Sequence, residues 1–236
     1  MKKIAICSAK GGVGKTTITI LLARLLQENN YKVGILDADI YGPNILQITD
    51  FNKRNTRIKK NDTQLAPFNF NGLKISSIEL LTNSKYPRIW RGPLLARSVK
   101  YLMNNTDWGR LDYLLIDMPP GTGDAYLTIF KDTDVDNALV VTKADIFSIQ
   151  DTKKTLELLK ELKIQILGIA ENMSESFALG QPGVPSKEIK NIFSEHKICF
   201  SLPNLGQKQI FKSFEASTEV YNCLLYTSPS PRDLST

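Results

Sequence analysis

The feature that most restricts the fold of this chain is a short apolar run, Ile4 to Ser8, that passes through a glycine-rich turn into an amphipathic segment. The turn reads Lys10-Gly11-Gly12-Val13-Gly14-Lys15-Thr16-Thr17, and Ile18, Leu21, Leu22 and Leu25 then recur at helical spacing within Thr17 to Gln27. Strand, loop and helix in that order gather backbone N–H groups into a concavity at a helix amino terminus, where the helix dipole also favours an anion. Gly11, Gly12 and Gly14 permit backbone angles and close approaches that a side chain would block. The pattern is the phosphate loop GxxxxGK(S/T), with Ala9 where the first Gly belongs. It predicts that Gly11 to Thr17, Val13 included, cradle ATP, that Lys15 faces the β- and γ-phosphates, and that the Thr16 hydroxyl binds Mg²⁺.

The rest of the chain supplies a matching scaffold. Val33 to Leu36 reads as a second buried strand ending at Asp37 and Asp39, after a stop signal at Asn29-Asn30. Further strands are expected at Tyr113 to Ile116, Ala138 to Val141, Ile166 to Ile169 and Ile198 to Leu202. Helical patterns fall at Pro93 to Met103, Ala125 to Phe130, Ser148 to Leu162 and Ser186 to Ser194. The helix at Ser148 opens with Ser-Ile-Gln-Asp, a capping-box-like start. Thr49 to Tyr86 is polar and then weakly alternating through Leu73, Ile75 and Ile78, so it reads as a surface excursion carrying short strands. Strands alternating with helices specify an α/β fold of the P-loop NTPase kind, a mostly parallel sheet with helices on both faces.

Two carboxylate positions complete a nucleotide site. Asp117 ends the run Tyr113-Leu114-Leu115-Ile116, where a buried strand sets an acid near Mg²⁺. Asp39, beyond the second strand, is the candidate to orient the attacking water, with Asp37 supporting the Mg²⁺ site from behind. All lie at the carboxyl ends of parallel strands, where open α/β sheets bind ligands.

Composition narrows the class further. With 236 residues, 42% hydrophobic and 23% charged, one globular domain over residues 1–222 is expected. No apolar stretch reaches membrane-span length and Met1-Lys2-Lys3-Ile4 lacks a signal-peptide pattern, which makes the cytoplasm the expected location. The three cysteines, Cys7, Cys199 and Cys223, form no CxxC pair, and the single His excludes a His-rich metal site. The net charge of +6 concentrates partly at Lys53, Arg54, Arg57, Lys59 and Lys60, a run without interleaved aromatics that reads as a solvated loop rather than a nucleic-acid site. Cys223 to Asp233 looks like the translation of a transposase sequencing adapter, so residues 223–236 are set aside as foreign to the natural sequence.

The octamer beginning at Lys10 resembles the deviant Walker A loop of the MinD, ParA and Mrp group. By that resemblance Lys10 would reach the phosphates of a facing subunit in a homodimer, as an arginine finger does. Four further blocks are similar to the Mrp (ApbC) family of iron–sulfur cluster carriers: Leu36 to Asn44, Trp90-Arg91-Gly92-Pro93, Asp112 to Asp124 and Gly168 to Met173. The resemblance implies an ATPase acting in cluster assembly or delivery, with iron–sulfur client or scaffold proteins as partners. It also implies that Asn172 contacts adenine and that Gly121 sits in a loop sensing the γ-phosphate.

One departure stands out. Mrp proteins commonly carry a CxxC pair soon after the Glu-Asn-Met block, whereas Ser174 to Pro182 contains no cysteine. A bridging cluster needs about four thiolates, so cluster binding by this chain itself is not expected, while the ATPase reading is untouched. Two rival classes share the loop. One is a MinD- or ParA-like positioning ATPase that binds membrane or DNA, and the other is a nucleotide-gated binding module without turnover.

Overall fold

The expected apolar runs converge into one sheet. The computed structural model describes residues 1–39, 42–48, 64–80, 92–174 and 186–203. Its strands are β1 (Lys2–Cys7), β2 (Val33–Asp37), β3 (Phe68–Phe70), β4 (Leu73–Ser77), β5 (Tyr113–Asp117), β6 (Asn137–Thr142), β7 (Gln165–Ser174) and β8 (Ile198–Pro203). They form an eight-stranded sheet in the order β3-β4-β2-β5-β1-β6-β7-β8. Among the described residues only the β3–β4 edge pairing is antiparallel. The run Thr49 to Tyr86 thus contains more than a surface excursion: β4 pairs in parallel with β2 and is buried within the main sheet. Its weak alternation has a physical cause, since a strand covered on both faces need not alternate. The basic run at 53–60 and the block Trp90-Arg91 lie outside the described residues, as do residues 204–236.

The sheet divides the core by strand periodicity. Ile4 and Ile6 of β1 join α1 (Lys15–Glu28) on one face, through Ile18, Leu22 and Leu26. Ala5 and Cys7 face the other way, toward α3 (Gly92–Asn105), α4 (Asp124–Asp132), α5 (Ile146–Glu161) and α6 (Lys187–Ile192). A short helix, α2 (Ile45–Ile48), follows the second strand and adds Ile45 and Leu46 to the α1 face. At the far side, Gly168 has a φ of 152°, and a Cβ there would stand 2.6 Å from the Lys197 carbonyl oxygen. This glycine lets β8 close against β7 where the ladder shifts register.

Helix starts differ from the expected pattern in one instructive place. The cap of α5 is Asp145, not Ser148: its Oδ1 accepts the Ser148 N–H at 3.0 Å and its Oδ2 the Ser148 hydroxyl at 2.6 Å. Ser148 lies inside the first turn, buried. Asp-Ile-Phe-Ser satisfies the same spacing rule one turn earlier, and the carboxylate, with two acceptor oxygens, wins. Helix α6 is capped by Ser186, whose hydroxyl accepts the Ile189 N–H.

Candidate functional site

Helix α1, like α4, begins at a glycine without a side-chain cap. It starts from Gly14 in the left-handed region, φ 89° and ψ 29°, with no side-chain cap bond and no acidic residue in its first turn. Its amino-terminal N–H groups are thereby left to a ligand. Gly12 also has a positive φ, 75°, and Gly11 and Gly12 are exposed at the mouth of the loop. Gly14 further serves a close approach: a Cβ there would meet Asn172 Nδ2 at 2.2 Å. That amide of β7 donates to the Val13 carbonyl at 2.8 Å, so Asn172, 4% exposed, forms a wall of the loop.

Three strand ends converge beneath the loop. Asp37 and Asp117 are register partners on adjacent strands β2 and β5, and Asp117 is also paired across β5–β1 with Ile6. Thr16 donates its hydroxyl to Asp117 Oδ2 at 2.6 Å, and Thr19, one turn further along α1, donates to Oδ1 at 3.4 Å. Asp37 takes the Asp39 N–H on Oδ1 at 3.1 Å and the Ser77 hydroxyl on Oδ2 at 3.4 Å. Asp39 is half-buried and its Oδ1 accepts the Gly42 N–H at 3.1 Å. Thr17 is half-buried in the same first turn.

Burial and mutual repulsion govern the charges of the site. Burial pushes the Asp117 carboxyl up to about 6, against the Thr16 hydroxyl and Lys15, which favour its ionised form. Burial and the neighbouring Asp117 raise Asp37 well above the usual carboxylate range. Lys15, 8% exposed, is the cation beside these acids; burial lowers its ammonium below the usual range while Asp117 and Asp39 oppose the shift. Lys15 beside Asp117 and Asp39, with Asp37 next to both acids, leaves negative charge over. Among the described residues no group of three or more His, Cys, Asp or Glu is arranged to hold a metal unaided. The Thr16 hydroxyl and Asp117 carboxylate instead fit Mg²⁺, which takes one or two protein oxygens and completes its shell with phosphate and water.

Gly121, with φ 102°, donates its N–H to the Ser8 carbonyl at 3.4 Å, linking the segment after β5 to the loop after β1. Cys7 is fully buried beneath that link, its thiol pushed up to about 12 by burial, with the Tyr126 hydroxyl tempering the shift.

Lys10 stands apart from all of these. Its Nζ lies 3.0 Å from Asp145 Oδ1 and 5.5 Å from the centre of the Phe147 ring. The residues that reading along the chain missed are Thr19, Ser77 and Asp145. Thr19 had a local signal, the Thr16-x-x-Thr19 spacing that puts two hydroxyls on one helix face. Ser77 had none, and Asp145 had only a local cap signal, because Ser77 meets Asp37 and Asp145 meets Lys10 only through the sheet.

A parallel sheet with an uncapped glycine-lined helix start over acid-tipped strands defines a P-loop NTPase. Residues 1–209 match the ParA family of NUBPL iron-transfer P-loop NTPases, and the chain belongs to that family. An iron–sulfur cluster carrier protein of Methanocaldococcus jannaschii is 46% identical over 175 residues, covering 73% of this chain and 60% of its own length. One from Rickettsia felis is 40% identical over 182 residues, covering 77% of this chain and 56% of its own. The chain therefore spans somewhat over half the length of these curated relatives. Among solved structures, an Archaeoglobus fulgidus nucleotide-binding protein in complex with ADP superposes with a TM-score of 0.69 at 28% identity, covering 97% of this chain and 89% of that one. No helix among the described residues is long and apolar enough to cross a membrane.

Proposed function

We propose that this chain binds Mg²⁺ and ATP at the carboxyl ends of β1, β2 and β5, hydrolyses the ATP between two copies of itself, and serves iron–sulfur cluster delivery. The observation that carries the reading is the Thr16–Asp117 contact, 2.6 Å, directly under an uncapped helix start. Gly11 to Thr17 receive the phosphates on backbone N–H groups, and Lys15 neutralises the β- and γ-oxygens. Thr16 and Asp117 would hold Mg²⁺, which would supply positive charge to offset the charge that develops on the phosphate. Asp37 fixes Asp39 through the latter's N–H, and Asp39 aligns the attacking water. Asn172 turns from the Val13 carbonyl to adenine, and Gly121 couples the γ-phosphate to the segment after β5. Lys10 of a second copy supplies the remaining positive charge.

The cargo reading draws on the relatives named as cluster carriers, not on thiolates of this chain. Cys7 is sealed in the core, and Cys199 is 6% exposed. The chain acts on a cluster held by a scaffold or client protein.

The test is phosphate release measured against protein concentration, with and without Mg²⁺. Turnover per chain should rise with concentration and vanish without the ion; a rate per chain independent of concentration would remove the two-copy mechanism. Nucleotide-dependent binding of a cluster-loaded scaffold protein separates delivery from positioning, for which salt-sensitive binding to DNA or to anionic vesicles is the expected sign instead.

A further inference from the structure

Lys10 leaves the loop backbone where Ser8 fixes it: the Ser8 hydroxyl donates to the Lys10 carbonyl at 2.7 Å and accepts the Lys10 N–H at 3.2 Å. From this anchored position the side chain does not join the acids under the loop, where the nearby cation is Lys15. It runs to the start of α5, onto Asp145 Oδ1 at 3.0 Å and toward the ring of Phe147. Asp145 has a second cation at hand, Lys143, with Nζ 3.5 Å from Oδ2. Next to the pair, Ile146 and Phe147 are 66% and 68% exposed, an apolar step at the same corner.

We propose that Asp145 stores Lys10 in the single chain and releases it to the phosphates held by a second copy, so that the ion pair sets how readily two copies join. This deepens the two-copy reading and rests on it. The geometry suits a store rather than a permanent bond. Both side chains are about one-third exposed, at 32% and 34%, so solvent screens the pair and its strength is modest. Lys143 already touches the other carboxylate oxygen, so Asp145 is not left without a cation when Lys10 departs. The cap on α5 is also unaffected, since the Ser148 N–H and hydroxyl hold the carboxylate independently of Lys10.

The test is Asp145→Asn in the full chain, which removes the charge and keeps an oxygen for the Ser148 N–H. An exposed pair of this kind shifts an equilibrium by about twofold to fivefold, and a symmetric dimer breaks it twice. ATP-dependent dimerisation followed by sedimentation should therefore tighten by roughly fourfold to twenty-fivefold. ATP affinity of the single chain should stay unchanged, and the gain should disappear when Lys10→Ala is added. If the parent chain pairs with ATP and Asp145→Asn pairs no more tightly, or loses turnover as Lys10→Ala does, the store is wrong while the two-copy mechanism stands. If the parent chain turns over ATP without pairing, the two-copy mechanism itself falls and takes the store with it.

Discussion

Lys10 and Lys15 belong to one glycine-rich loop and live in opposite surroundings. Lys15 is buried over a nest of acids whose own ionisation burial opposes, whereas Lys10 reaches outward to a one-third-exposed carboxylate beside two exposed apolar residues. The difference teaches how one loop divides its work: the inner cation is held where charge counts most because water is excluded, and the outer one is held weakly enough to move.

The comparison breaks most visibly in the rate. Lys10→Ala should bind ATP as the parent does and lose about 10³-fold or more in turnover, as removal of a charge supplied in trans does. Phosphate-release assays paired with nucleotide titration check this, and a variant with parental turnover as a monomer overturns the assignment. Lys15→Ala should fail earlier, at binding. Losing the buried partner of a charged ligand costs about 2–5 kcal/mol, which calorimetric titration reads directly.

The acids sharpen the inner half of the comparison. Asp39→Asn should slow turnover by about 100-fold and leave ATP affinity largely intact, because aligning water matters in the transition state. Asp117→Asn should weaken Mg²⁺-dependent binding as well, and it should also stabilise the nucleotide-free chain. The folded Asp117 carboxyl, at about 6, lies above the ordinary 3.8 of an unfolded chain, so the folded state holds the proton longer than the unfolded one does. Stability therefore falls as pH rises from 3.8 to about 6, and the full penalty stands at neutral pH. The gain in the asparagine variant should be about 1–3 kcal/mol at pH 7 and fade toward pH 4, as denaturant midpoints would show. Equal midpoints for parent and variant at pH 7 would mean that the buried charge is already compensated.

The smallest expected effect concerns the cysteines. Anaerobic reconstitution with iron and sulfide, on chain trimmed after Asn222, should leave no stoichiometric cluster by iron content or visible absorption. Cys7 should also resist iodoacetamide at pH 8 in the folded chain, since a thiol pushed up to about 12 offers little thiolate there. A full complement of iron that disappears in Cys199→Ser would give the chain a cluster site of its own.

Much of this was legible in the sequence. The loop, helix α1 and the strand-ending Asp37 and Asp117 are local patterns, in which periodicity and turn chemistry act over a few residues. The strand β4 was harder to read, because covering both faces erases alternation. The start of α5 was misplaced because Asp145 and Ser148 both suit a cap, and only the closed turn shows which oxygen meets which N–H.

The sequence by itself determined that a phosphate-binding helix start follows β1 and that acids tip the neighbouring strands. Only the tertiary structure decided which acid each lysine meets. With β5 and β6 flanking β1, Asp117 at the tip of β5 comes under the loop, and Asp145, just beyond β6, comes beside Lys10 across 135 positions of chain. Strand order is fixed by how helices of both faces pack over the sheet, a property of the whole core that no local spacing records.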